Sequence, residues 1–216
     1  MLFYDEGALL VKSDIKVVAF DCDGVMFDSR QANRAYYNHL LDRFHLPEMT
    51  PEQLAYVHMH TVDESLAFLM GSGVDLKAVH TYRRRLGYLP FLKYMLIEPG
   101  LVGLLERLRP RFKTAVATNR TDTMAHVLSE NRIEHLFDLV VCALDVSFPK
   151  PHPEPLNKVA AHFSVSPVEV VYVGDSEVDE LAAKAAGMPF VAYRNPGLKA
   201  AHHIQRLSEM AALLGL

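Results

Sequence analysis

Five short apolar runs recur along the chain: "KVVAF", "KTAVAT", "LVVCA", "VEVVYVG" and "PFVAY". They are rich in β-branched residues and continuous rather than alternating, the pattern of strands buried on both faces. After the first, the intervening segments "LVGLLERLR", "TDTMAHVLSEN", "PEPLNKVAAHF" and "SEVDELAAKAAG" carry apolar residues at helical spacing. Strands alternating with amphipathic helices predict an α/β fold with a parallel sheet covered on both sides. "PFVAY" is expected to be the last strand, with "AHHIQRLSEMAALL" closing the chain as a helix.

The alternation breaks once. From Gln31 to about Tyr94 the pattern is helical, as in "QANRAYYNHLLDRF", "PEQLAYVHMH", "VDESLAFLM" and "LKAVHTYRRRLGYLPFLKYM", punctuated by Pro47, Pro51, Gly71 and Gly73. Thr50 reads as an N-cap with Pro51 at the first helical position. One strand and its covering helix need only about 30 residues, far fewer than separate Asp23 from Thr118. The excess predicts an all-helical cap, residues 28–96, inserted into a doubly wound core of residues 1–27 and 97–216. Ligands of such sheets bind beyond the carboxyl ends of the strands, so the cap is expected over that edge. Phe27 to Arg30 and Glu98 to Gly100 are the expected hinges.

Composition narrows the partners. The 216 residues are 50% hydrophobic and 22% charged, with a net charge of −4, so neither nucleic acid nor an anionic membrane is an expected partner. Cys22 and Cys142 lie in apolar surroundings without paired metal spacing and read as small buried hydrophobes in a reducing compartment. The N-terminal "GALLV" is short and followed by Lys12, Ser13 and Asp14, unlike a signal peptide. No run approaches the ~18 apolar residues of a membrane span. A cytoplasmic location is expected. The pattern sets no oligomeric state.

The candidate chemistry stands where the runs end. "KVVAF" stops at Asp21, followed by Asp23 and Gly24; "KTAVAT" stops at Thr118, followed by Asn119 and Arg120. Lys150 follows "LVVCA", and "VEVVYVG" leads into Asp175, with Asp179 one helical turn on. In a parallel sheet these four exits converge on one edge. Acids gathered there repel one another in a partly desolvated cleft. A hard divalent cation such as Mg²⁺ resolves the conflict with a few carboxylates, waters and a substrate phosphate. Lys150 and the Thr118 hydroxyl can balance the charge of a transferring phosphoryl group. One carboxylate can then serve as nucleophile, forming an aspartyl phosphate, and another as acid and base.

"DCDGV", "TNR", "KPHPEP" and "GDSEVD" together resemble, in order, the motifs of the haloacid dehalogenase-like superfamily. The likeness is to its phosphatase branch with a helical cap, the group that includes phosphoglycolate phosphatases, and it runs from about Lys16 to Tyr193. The resemblance implies a Rossmann-like core and a Mg²⁺-dependent phosphatase acting on a small phosphorylated metabolite. It implies Asp21 as nucleophile and Asp23 as general acid and base, with the Asp23 backbone carbonyl, Asp21 and Asp175 on the metal. Thr118 and Lys150 would hold the phosphoryl group, and Asn119 and Arg120 are expected to bind phosphate or substrate with them, the alternative for Arg120 being a surface arginine. Asp179 is left between an outer partner of the site and a simple first-turn acid of its helix. Members that cleave carbon–halogen bonds lack the second acid, so Asp23 points to phosphoryl transfer. Val25 stands where many phosphatases carry Thr.

The alternatives within the same chemistry are a β-phosphoglucomutase-like phosphomutase and a pyrophosphatase. Outside it stand a phospho-acceptor module, which needs no cap, and a binding protein with dead chemistry. Arg83, Arg84 and Arg85 point about 100° apart on a helix and read as a solvated face. His58, His60, His202 and His203 show no zinc-site spacing; the last two are expected near a helix start.

Overall fold

The computed structural model describes residues 14–121 and 123–216, so "GALLV" lies outside the described residues. Val17–Phe20 forms β1, and Phe27–Asp28 (β2) pairs with Leu96–Ile97 (β3) in a two-stranded sheet. The main sheet continues with β4 (Lys113–Ala117), β5 (Leu139–Val141), β6 (Val170–Gly174), β7 (Phe190–Tyr193) and β8 (His202–Ile204). Its order is β5-β4-β1-β6-β7-β8, with every pairing parallel. β1 therefore lies inside the sheet between β4 and β6, and all four of its residues are fully buried. That placement explains the unbroken apolar run. This is a Rossmann-like α/β core.

Among the described residues the chain divides into two compact units. One holds the residues up to Phe27 together with Ile97–Leu216, the other Asp28–Leu96. In the first, α5 (Leu101–Leu108) and α6 (Met124–Glu130) follow β3 and β4, while α7 (Glu154–Phe163) and α8 (Glu177–Ala186) follow β5 and β6. α7 and α8 cover one face of the sheet, where Ala19, Ala117, Leu156, Val159, Tyr172 and Ala182 share a core. Because side chains alternate along a strand, Val18 and Phe20 belong to the opposite face.

The second unit contains α1 (Arg30–Arg43), α2 (Pro51–Met59), α3 (Val62–Met70), α4 (Leu76–Leu86) and a 3₁₀ turn, Leu89–Tyr94. Thr50 caps α2 as expected: its hydroxyl accepts from Gln53 N at 3.2 Å, and the Gln53 side chain accepts from Thr50 N at 2.9 Å. The unit has its own core around Tyr36, Leu40, Leu66 and Phe91. Arg84 and Arg85 are exposed, but Arg83 turns inward and donates to His80 Nδ1 at 3.2 Å. His58 meets Asn33 at 3.3 Å, and Tyr88 donates its hydroxyl to Asn33 at 2.6 Å. His60 stacks on Tyr56 with ring centroids 3.7 Å apart.

Three expectations are corrected. "PFVAY" is not the last strand: His202 and His203 belong to β8, which pairs with β7 from Val191↔His202 to Tyr193↔Ile204. The expected long closing helix shrinks to α9, Glu209–Leu213. The outer edge of β7 carries unpaired peptide groups, and a three-residue strand satisfies them whatever its local propensity. Cys142, expected to be buried, is half-exposed, whereas Cys22 is fully buried; both are free thiols. At one expected hinge Glu98 is buried, and its carboxylate accepts from Arg194 at 2.6 and 3.0 Å.

Leu66 sits at the centre of the second unit's core with no exposed surface. Leu66→Ala should destabilise the protein by about 2–5 kcal/mol, read from urea unfolding.

Candidate active site

The site begins where the ladder ends. Asp21 N still donates to Val173 O of β6 at 2.9 Å, holding the first residue after β1 in register. The chain then turns tightly, with Met26 N on Cys22 O at 2.9 Å and Gly24 N on Phe27 O at 2.8 Å. Gly24 has φ +82°, and a Cβ there would collide with the Asp175 carboxylate. Both facts require glycine. The second strand exit is held similarly: Thr118 N donates to Val141 O at 3.0 Å.

Lys150 joins the exits. Its peptide bond to Pro151 is cis. Its main chain is gripped from both sides by Asn119, whose amide donates to Lys150 O at 2.8 Å and accepts from Lys150 N at 2.9 Å. Its ammonium, with the side chain 2% exposed, donates to Asp21 Oδ1 at 2.8 Å, Asp179 Oδ1 at 2.6 Å and Tyr172 OH at 2.8 Å. These three bonds use all three N–H groups of the ammonium. The Tyr172 hydroxyl proton faces Ala117 O and Asp179 Oδ1, each at 2.9 Å.

Asp179 is therefore not a solvated first-turn acid. It is fully buried, and its Oδ2 accepts from the Ser176 hydroxyl, Ser176 N at 3.2 Å and Asp175 N at 3.3 Å. A Cβ on Gly174 would collide with it. Asp175 is the opposite case. Asn195 holds its main-chain oxygen at 2.9 Å, but its carboxylate takes no hydrogen bond from the described residues.

The electrostatics follow from this unequal supply of donors. Burial alone would raise Asp179, yet the Lys150 charge and the donors around it hold it below its ordinary value. Burial pushes Asp21 up, with Lys150 opposing and Asp179 and Asp23 adding repulsion. Asp175 is pushed up to about 8 by burial, then by the charges of Asp21 and Asp179. Lys150 is kept charged: burial opposes the charge, and Asp179 and Asp21 outweigh it. Burial also raises the Cys22 thiol well above its usual range, which suits a packed and unreactive group.

Oxygens of Asp21, Asp175 and Asp179 lie within 4.8 Å of one another, close enough to share a metal ion. Since the donors around Asp179 saturate it, Asp21 and Asp175 are the members with capacity left for a cation. A hard divalent ion fits that all-oxygen set and relieves the repulsion that raises Asp175.

The remaining expected residues lie in the same neighbourhood. The Thr118 hydroxyl accepts from Arg120 N at 3.1 Å, and Arg120 turns its guanidinium onto Asp23, at 2.6 and 3.1 Å. The Asn119 side chain is wholly engaged with the Lys150 main chain. Tyr172 is a residue that sequence reasoning missed. Its one signal was a hydroxyl inside the otherwise apolar run "VEVVYVG".

A family model described as "Haloacid dehalogenase-like hydrolase" matches residues 18–193. The chain is 28% identical over 192 residues to a phosphoglycolate phosphatase of Pasteurella multocida, covering 83% of this chain and 85% of that one. It is also 28% identical over 184 residues to pyrophosphatase PpaX of Bacillus pumilus, covering 82% of each. A solved HAD-superfamily hydrolase of subfamily IA from Geobacter sulfurreducens superposes with a TM-score of 0.83 at 40% identity, covering 94% of this chain and 98% of that one.

Two outcomes are expected. Lys150→Met leaves buried carboxylates uncompensated and should destabilise the fold by about 3–5 kcal/mol in urea unfolding; adding Asp179→Leu should restore much of that loss. The second concerns pH. Asp175 is raised from 3.8 to about 8, so its stabilising contribution is complete below pH ~4 and disappears as pH rises through 8. Chelator-treated protein should therefore lose more melting temperature between pH 6 and 9 than Asp175→Asn does.

Proposed function

As the chain belongs to the haloacid dehalogenase-like hydrolase family, we propose that it is a Mg²⁺-dependent phosphatase that hydrolyses a small phosphorylated metabolite of the phosphoglycolate kind. The observation that carries this reading is the buried Lys150 ammonium 2.8 Å from Asp21 Oδ1, beside a bare Asp175 carboxylate.

In this reading Asp21 and Asp175, with the Asp23 backbone carbonyl, hold Mg²⁺. The ion would offset the carboxylate charges and draw in the phosphate dianion. Lys150 fixes Asp21 Oδ1, which leaves Oδ2 as the nucleophile. Asp21 Oδ2 bonds to phosphorus while the bond from phosphorus to the leaving oxygen breaks, and Asp23 gives that oxygen its proton. Asp23 then takes a proton from water as the water attacks the aspartyl phosphate, releasing inorganic phosphate and restoring Asp21. Thr118 donates its hydroxyl proton to the phosphoryl oxygens, since its lone pair is already engaged by Arg120 N. With its three N–H groups committed, Lys150 supplies charge and aim. Asn119 acts by holding the loop that presents Lys150.

The test is phosphate release from phosphoglycolate, p-nitrophenyl phosphate, sugar phosphates, nucleotides and pyrophosphate. Release should require Mg²⁺, stop with chelator, and fall by at least about 10³-fold in Asp21→Asn. Turnover of pyrophosphate alone would favour a pyrophosphatase, and an isomerised sugar phosphate without release a phosphomutase. Silence across the panel would overturn the reading.

A further inference from the structure

Arg120 stands next to Asn119 and close to the phosphoryl-binding Thr118, where an arginine would be expected to grip phosphate. Its side chain does something else. Nε donates to Asp23 Oδ2 at 3.1 Å, and a terminal nitrogen donates to Asp23 Oδ1 at 2.6 Å. The other terminal nitrogen donates to the Thr123 hydroxyl at 3.0 Å, and Thr123 is itself buried. The Arg120 side chain is 7% exposed, while that of Asp23 is 35% exposed. The main chain is fixed too: Arg120 N is on the Thr118 hydroxyl at 3.1 Å, and Arg120 O accepts from Ala143 N at 3.0 Å.

Resting on the phosphatase reading above, we infer that Arg120 is a positioning residue for Asp23, aiming its carboxylate, and not a ligand of the substrate phosphate. A two-point fork holds a carboxylate in one plane, which a single-point contact cannot do. It uses two of roughly four lone-pair sites on the carboxylate. The Asp23 side chain itself remains 35% exposed, so a leaving oxygen or a water can reach it. The anchor is rigid because the arginine is buried and tied at Thr123. It also joins two motifs, since the main chain of the residue that aims Asp23 orients the Thr118 hydroxyl.

A substrate contrast separates aiming from gripping. p-Nitrophenolate leaves without a proton, whereas the alkoxide of phosphoglycolate needs one, so Asp23 matters more for the second. Arg120→Met and Arg120→Lys are compared with Asp23→Asn and with the Arg120→Met/Asp23→Asn double variant, all in Mg²⁺, with urea unfolding to show that each is folded. Loss of aim should lower kcat on phosphoglycolate by about 10- to 100-fold with KM little changed. The loss should be smaller on p-nitrophenyl phosphate and nearly vanish in the Asp23→Asn background. Arg120→Lys keeps the charge without the fork and should not rescue. A KM increase of equal size for both substrates that persists in the Asp23→Asn background overturns the inference and makes Arg120 a phosphate ligand. An active wild type confines that failure to Arg120; an inactive wild type overturns both readings.

Discussion

The buried ammonium of Lys150, held between Asp21 and Asp179, is the contact on which the site depends. Taking an unpaired carboxylate out of water costs several kcal/mol, and here two of them, from the end of β1 and the first turn of α8, meet inside the protein. One cation joins them. Because Asn119 holds the Lys150 main chain and Tyr172 its Nζ, the same point also ties in the ends of β4 and β6. Four strand exits are braced on one residue.

That charge is shared unequally, and the neighbouring carboxylates are pushed in opposite directions. Asp179 collects donors from Lys150, Tyr172 and Ser176 and from two backbone N–H groups, and it remains an anion. Asp175, whose carboxylate takes no hydrogen bond from the described residues, is raised by burial and then by the charges of Asp21 and Asp179. Chemically identical side chains pushed apart by their surroundings are the usual source of division of labour in a site. The two glycines preserve the arrangement, because a methyl group at Gly24 or Gly174 would displace Asp175 or Asp179.

Much of this was legible before any coordinates. The strands β1, β4, β5, β6 and β7 announce themselves as continuous β-branched runs because both faces of a parallel sheet are covered. The candidate residues were legible because they stand where those runs stop. β8 was not, since a three-residue edge strand carrying two histidines has no periodicity to detect. The contacts that define the site were also hidden. Arg120 and Asp23 are 97 positions apart, and Asn119 and Lys150 are 31 apart. Tyr172 shows only a buried-strand signal, although its hydroxyl is a ligand of the lysine.

By itself the sequence determined the alternation of elements, the helical insertion and the residue types at each strand exit, because periodicity and turn chemistry act locally. Which acid is saturated and which is bare, which cation serves Asp23, and what the histidines near the end pair with were decided by the tertiary structure. Desolvation and hydrogen-bond supply belong to neighbours in space, and a linear order of residues does not specify those neighbours.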